Sequence, residues 1–370
     1  MKVPIARKNV FHQKGKLALS LLSIGASLAL ILILLGFREG LYAALTAYVN
    51  NMGADLIVAQ NGVEGLVSSS SVLPTSIHAQ IEELAGATEA GHVLVAGAIF
   101  TREETKTPII LVGYVPDSDI GAPWKLGQGR YLEGDSEIML DTWLAQRSGV
   151  QIGDEVDLFG RKFEVVGLTR ETASWMSPYV FISLKAAQES LGLVGEVSFH
   201  ILRLPEGVDS EDAIKAIRSD IANVDVFPPN KIAETDRRVI AAVMDRPISV
   251  LILVAIIIGI AVMGLTSYTA IADRMREYSL LKAVGASRIQ LTGLIVWESL
   301  YHAVLALLVG IGLAYLTAFF IMANWPQFNV LIRPDSVLQV ALLAIVMTVF
   351  SALLPLRRLS QIDPLEAFRA

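Results

Sequence analysis

The 370-residue chain has no cysteine. That removes disulfides, thiol nucleophiles and thiolate metal sites, and any domain on the outer side of a membrane must then be held by its hydrophobic core alone. Charge is also scarce: Asp, Glu, Lys and Arg make up 18% of the residues against 53% hydrophobic ones, and the mean hydropathy is +0.54. A composition this apolar excludes an ordinary soluble enzyme and directs attention to membrane spans. No G-x-x-x-x-G-K-[ST] phosphate loop and no H-E-x-x-H pair occur, so the residues supply neither an ATP cradle nor a protease-type zinc motif. The five histidines, His12, His78, His92, His200 and His302, show no ligand spacing along the chain and read as structural or solvated.

What the chain does have is four long apolar runs. Residues 17–37 and 248–268 are each 21 residues without a charge, about 32 Å as helix against a hydrocarbon core of roughly 30 Å. Residues 291–322 form a longer run with Glu298 and His302 near its start, and 337–354 a run of 18 residues. A cleaved signal peptide is the alternative for the first run. Its length and its ending at Gly36-Phe37-Arg38-Glu39, without small residues at a cleavage site, argue against that.

Charge sets the orientation. Residues 38–246 hold 17 Lys+Arg against 30 Asp+Glu, a net of −13, whereas the rest holds 13 against 6. Of those 13 cations, twelve lie before the first run, between the second and third, or after the fourth, Arg333 being the exception. Short cytoplasmic segments carry the Lys/Arg excess, so both chain ends and 269–290 are expected inside and the acidic segment outside. The expected architecture is an α-helical membrane protein with four transmembrane helices and a large inserted α+β extracytoplasmic domain. Its parts are an amphipathic N-terminus at 1–16, spans at 17–37, 247–268, 291–322 and 337–354, an outer domain at 38–246, a cytoplasmic segment at 269–290, an outer loop at 323–336 and a cytoplasmic C-terminus at 355–370. Trp325, just past the third span, fits an interfacial anchor.

Within the outer segment, alternating or short apolar runs predict strands at 56–59, 92–100, 109–114, 137–140, 155–159, 163–168, 179–182 and 197–204, with a hairpin through Phe159-Gly160. Helices are expected at 77–84, 142–148, 184–191 and 210–222, the last with Ser210 as N-cap. A strand-rich lobe at about 107–192 is inserted between the halves of a second. Trp124, Trp143 and Trp175 read as packing residues. Small residues four apart, Ala255 with Gly259 and Gly310 with Ala314, permit close helix approach, as ordinary packing or as a dimer seam.

The 269–290 segment predicts a short surface helix, stopped at Gly285, with Ser287-Arg288-Ile289-Gln290 at capping-box spacing to begin the next helix. Asp363-Pro364-Leu365-Glu366 repeats the start signal near the C-terminus. These stretches, with Ala6-Arg7-Lys8-Asn9-Val10, Gly36-Phe37-Arg38-Glu39-Gly40-Leu41, Arg276 to Ser287, and Pro355-Leu356-Arg357-Arg358 with Ile362 to Arg369, resemble the FtsX/MacB-type permease subunits of ATP-binding-cassette (ABC) systems.

The resemblance implies a homodimer in the inner (plasma) membrane, bound to a separate ABC ATPase subunit. That subunit carries the ATP and Mg, this chain holding no cofactor and being no enzyme. It also implies an ATPase-coupling role for Arg276, Glu277, Leu280, Leu281, Lys282, Gly285, Ala286 and Ser287, and a cytoplasmic motif at Asp363, Pro364 and Glu366. The expected function is export or extraction of a hydrophobic or amphipathic substrate through motion of the outer domain. The alternative is a mechanotransmission subunit that switches an outer partner, such as a cell-wall hydrolase or sensor, without moving cargo. Expected partners are thus the ATPase, a second copy, membrane lipid and an extracytoplasmic adaptor, with no nucleic acid.

Overall fold

A computed structural model describes residues 14–102, 105–173, 177–273, 284, 287–325 and 327–360. The chain divides into two compact units, one of residues 1–39, 245–324 and 330–370, the other of residues 40–244 and 325–329.

In the first unit the apolar runs are helical, and the helices extend beyond the runs: α1 is Lys14–Asn51, α6 Pro229–Asp273, α7 Arg288–Asn324 and α8 Pro334–Ser360. Among the described residues three of these are long and apolar enough to cross a membrane, within Leu17–Asn51, Pro229–Thr266 and Ser299–Asn324, and in the fourth the described apolar stretch is Pro334–Phe350. No proline stands between Phe37 and Asn51, so α1 continues through Gly40 until Asn51, two residues before Gly53 with φ +77°. Pro247, expected at the start of the second span, instead lies inside α6. There it withholds a hydrogen bond from the Val243 carbonyl, a loss that helices of this type tolerate.

The unit's core is built from Ile24, Leu28, Ala29, Ile31, Leu32 and Leu35 of α1 against Ala255 and Met263 of α6, Ala303, Ala306 and Ala314 of α7, and Val340, Ala344 and Met347 of α8. Small residues at 303, 306, 310 and 314 repeat every three or four positions, so one stripe of α7 lets a neighbour come near. A Cβ added at Gly310 would sit 2.9 Å from the Gly25 carbonyl oxygen and 3.1 Å from Leu28 Cβ. Hydroxyls in these helices bond back to their own helix, as Ser27 to Ser23 O and Thr348 to Ala344 O, which satisfies those buried donors without a partner helix.

The second unit is built on a ten-stranded mixed sheet. Its strands are β1 Leu56–Gln60, β3 Glu89–Arg102, β4 Thr105–Tyr114, β5 Leu126–Gly129, β6 Glu137–Asp141, β7 Glu155–Leu158, β8 Arg161–Thr169, β9 Tyr179–Ser183, β11 Phe199–Arg203 and β12 Val224–Phe227, in the order β12-β1-β11-β3-β4-β9-β6-β8-β5 with β7 against β8. A separate pair joins β2 Leu73–Pro74 to β10 Glu196–Val197. The 14-residue β3 pairs with β11 through its first half and with β4 through its second, so the parts around 105–183 and those around 56–60, 199–203 and 224–227 share one strand.

Alternation divides the sheet's side chains between two cores. On one face Leu56, Val58, Leu94, Ile138 and Leu202 meet α2 His78–Ala85, α3 Thr142–Arg147, α4 Leu184–Leu191 and α5 Ser210–Asp220. On the other, Ile57, Ala59, Val93, Val112 and Ile201 meet Tyr48, Val49 and Met52 from the end of α1 and Ile232 and Ala233 from the start of α6. The β7–β8 hairpin turns on Phe159 and Gly160, both at positive φ (58° and 76°), the turn that suits the strands' twist. α5 starts one residue earlier than expected: Asp209, not Ser210, is the N-cap, its carboxylate accepting from the Glu211 N–H.

Candidate functional site

The expected coupling segment lies between α6 and α7. Arg276, Glu277, Leu280, Leu281, Lys282, Gly285 and Ala286 lie outside the described residues, as do Asp363, Pro364 and Glu366 of the C-terminal motif and Trp175. Its boundaries are described: α6 is helical to Asp273, and α7 begins at Arg288. At the second boundary the Ser287 N–H donates to Gln290 Oε1 at 3.0 Å and the Gln290 N–H reaches Ser287 Oγ at 3.3 Å. That reciprocal pair is the expected capping box, and it fixes where the segment must turn into α7. The neighbouring Val284 is 89% exposed.

Trp124 packs against Tyr48 and Tyr179, with centroids 6.3 and 6.0 Å away, and Trp143 stacks under the Arg147 guanidinium at 5.5 Å. Both are packing residues. Trp325 is exposed. Ala255 and Ala314 are buried, and Gly310 faces Gly25 of the same chain, so the Gly310–Ala314 pair is used in intrachain packing.

Two polar constellations in the second unit were not legible from spacing. In the first, Asp236, 1% exposed, accepts hydrogen bonds from the N–H groups of Leu66 (2.9 Å), Val67 (3.2 Å) and Ser68 (3.0 Å). A carboxylate from α6 thereby holds the loop after β1 by three successive backbone donors.

The second gathers three histidines. His92 on β3 and His200 on β11 are direct partners in the antiparallel register, and His78, the first residue of α2, comes over the same pair. The Nδ1 atom of His78 lies 3.2 Å from His200 Nδ1 and 3.2 Å from His92 Nδ1, and the ligand atoms of all three lie within 4.8 Å of one another. His200 is buried and the other two half-buried. Burial lowers the pKa of all three, that of His92 to about 4 and that of His200 to about 3, so the rings are neutral at physiological pH. The sequence reading treated these histidines as structural or solvated. Their grouping depends on a strand pairing across more than a hundred residues, which no local spacing encodes.

Comparison with known proteins accounts for both units. Residues 249–364 match the family described as FtsX-like permease C-terminal. Residues 17–220, more than half of the chain, match the family described as MacB-like periplasmic core domain. The chain belongs to the FtsX/MacB-type ABC transporter permease family.

This permease is 24% identical over 376 residues to an uncharacterized ABC transporter permease of Mycobacterium tuberculosis (strain ATCC 25618 / H37Rv), with 98% of each chain covered. It is 21% identical over 368 residues, again with 98% of each chain covered, to a putative hemin transport system permease protein of Staphylococcus haemolyticus (strain JCSC1435). The crystal structure of the periplasmic region of MacB from Actinobacillus actinomycetemcomitans matches 50% of the permease and 94% of that chain, at 15% identity and a TM-score of 0.39.

Proposed function

We propose that this permease couples ATP hydrolysis by a separate ATPase subunit to export or extraction of a hydrophobic or amphipathic substrate, through motion of its outer domain. The observation that carries the reading is the segment between Asp273 and Ser287. It falls inside the stretch matched to the FtsX-like permease C-terminal region, carries the family-like Arg276 to Ser287 sequence, and is bounded by a long apolar helix on each side. In this reading Leu280 and Leu281 are the apolar anchors in a groove of the ATPase, and Arg276 and Glu277 the polar contacts. Asp363, Pro364 and Glu366 form the C-terminal motif of the same cytoplasmic side.

The full proposal has four spans, the last at 337–354, both chain ends in the cytoplasm, and two copies of the chain working with two ATPase subunits. α1 and α6 supply residues to both units, so they are the elements through which a displacement would pass to the outer domain. Cargo is left at the level of chemistry. The hemin in the name of the Staphylococcus relative belongs to that protein, and a planar amphipathic molecule of that kind falls within the class proposed here.

The test pairs the chain with its ATPase in lipid. The purified chain alone should hydrolyse no ATP, the pair should, and Glu277→Ala with Leu281→Ala should abolish stimulated hydrolysis and transport together. Unchanged hydrolysis and transport in that double variant would overturn the proposal.

A further inference from the structure

The three histidines of the second unit make contacts that protons cannot all satisfy. His200 Nε2 lies 3.3 Å from the Pro74 carbonyl oxygen. A carbonyl only accepts, so Nε2 carries the ring's proton and His200 Nδ1 is a bare lone pair. That lone pair faces His78 Nδ1, which faces His92 Nδ1 at the same 3.2 Å. If His78 Nδ1 bears a hydrogen, one N–H must point at two acceptors. If it does not, it can accept from His92 but then opposes the His200 lone pair. In either case one of the two contacts lacks a shared proton, beside the buried His200 ring.

A cation removes the conflict. Tetrahedral coordination with metal–nitrogen bonds of about 2.0–2.1 Å separates the ligand nitrogens by about 3.3–3.4 Å, close to the 3.2 Å found for both pairs. The Pro74 carbonyl then does what an outer partner of a metal-bound imidazole does, holding the distal N–H and so the ring's tautomer and orientation. Neutral imidazoles, with no thiolate available anywhere in the chain, suit zinc, copper or nickel better than calcium or magnesium.

We propose that His78, His92 and His200 form a three-imidazole site for a divalent first-row transition ion of the zinc type, with water at the fourth position. The ion clips the N-terminus of α2 to the β3–β11 pair. His78 and His92 are only half-buried, so water can reach the cluster to fill the fourth position. This site is independent of how the membrane helices couple to an ATPase, and it stands or falls apart from the transport reading.

The experiment uses the full chain in detergent or nanodiscs, free of any histidine tag and stripped with EDTA. Titration with zinc chloride should show one high-affinity ion per chain. Cobalt(II) in its place should give the intense visible ligand-field bands of a tetrahedral nitrogen and oxygen environment. His78→Gln and, separately, His92→Gln should each weaken zinc binding at least as much as the roughly 10–100-fold that loss of an outer-shell partner costs. The His12→Gln, His302→Gln double variant should bind as the parent does. Wild-type protein that takes up no zinc, or binding that persists undiminished in His78→Gln and His92→Gln, would overturn the site. Should either variant fail to fold, the cobalt spectrum of the wild type decides: octahedral, weak bands count against the site as firmly as no binding.

Discussion

Glu137, at the start of β6, shows how a single side chain carries pH dependence in the second unit. Its carboxylate accepts from Arg130 at 2.9 and 2.5 Å and from the N–H groups of Glu133 and Gly134 at 2.7 and 3.1 Å. The Arg130 hydrogen bonds, foremost, hold its pKa at about 2, down from 4.5. A carboxyl depressed by folding stabilises the native state above its unfolded pKa, and that stability is lost as pH falls through the folded value. The thermal midpoint of the chain should therefore fall as pH drops from about 4.5 toward 2. Glu137→Gln should lower the midpoint near neutral pH and flatten this descent, the two curves converging in acid; parallel curves would show that Glu137 is not the group responsible. Asp236 acts differently, as a fixed acceptor for three backbone donors. Asp236→Ala should cost about 1–3 kcal/mol, the usual penalty for orphaned buried donors. Amide exchange should accelerate at Leu66, Val67 and Ser68 while β1 stays protected.

At the level of elements, the stripe of small residues on α7 makes a demand on volume. Gly310→Val would push a side chain into the Gly25 carbonyl and Leu28, and overpacking of this kind costs about 1–3 kcal/mol. The expected result is a lower melting temperature of the detergent-solubilised chain, larger than that for Gly312→Val, where an added Cβ meets nothing within 4 Å. Elements governed by local chemistry were readable beforehand. The Ser287–Gln290 box, the Phe159-Gly160 turn and the cores of eight strands are all written within a few neighbouring residues. Where the outcome depended on distant partners, the reading fell short. α1 and α6 run past their apolar stretches because Tyr48, Met52 and Ile232 are buried in the second unit, an arrangement that hydropathy does not show. β5 was missed because Leu126-Gly127-Gln128-Gly129 has no strand composition and takes its conformation from pairing with β8. β12 is only four residues between Asn223 at positive φ and the Pro228-Pro229 pair, too short for its alternation to register. The histidine cluster belongs to the same class, since it exists only once β11 lies beside β3.

For the whole molecule, the decisive physical quantity is which side of the bilayer each charged segment occupies. The family places the chain in a membrane, and the lipid's refusal of unpaired charge makes the Lys/Arg distribution an orientation signal. The chain's lack of cysteine makes this directly measurable, because every introduced thiol is the sole one. Val194 in the second unit is 76% exposed and Val284 in the segment before α7 is 89% exposed, so a cysteine at either position is open to reagent without disturbing a core. In intact cells an impermeant maleimide should label Val194→Cys and leave Val284→Cys unlabelled; permeabilising the cells should make both react. Co-expression of the ATPase should then slow labelling of Val284→Cys in permeabilised cells, because a subunit seated on residues 276–287 would cover it. Labelling of Val284→Cys from outside would invert the topology and remove the coupling segment from reach of ATP. Labelling from inside, but indifferent to the ATPase, would leave the membrane arrangement standing and move the coupling contact elsewhere on the chain.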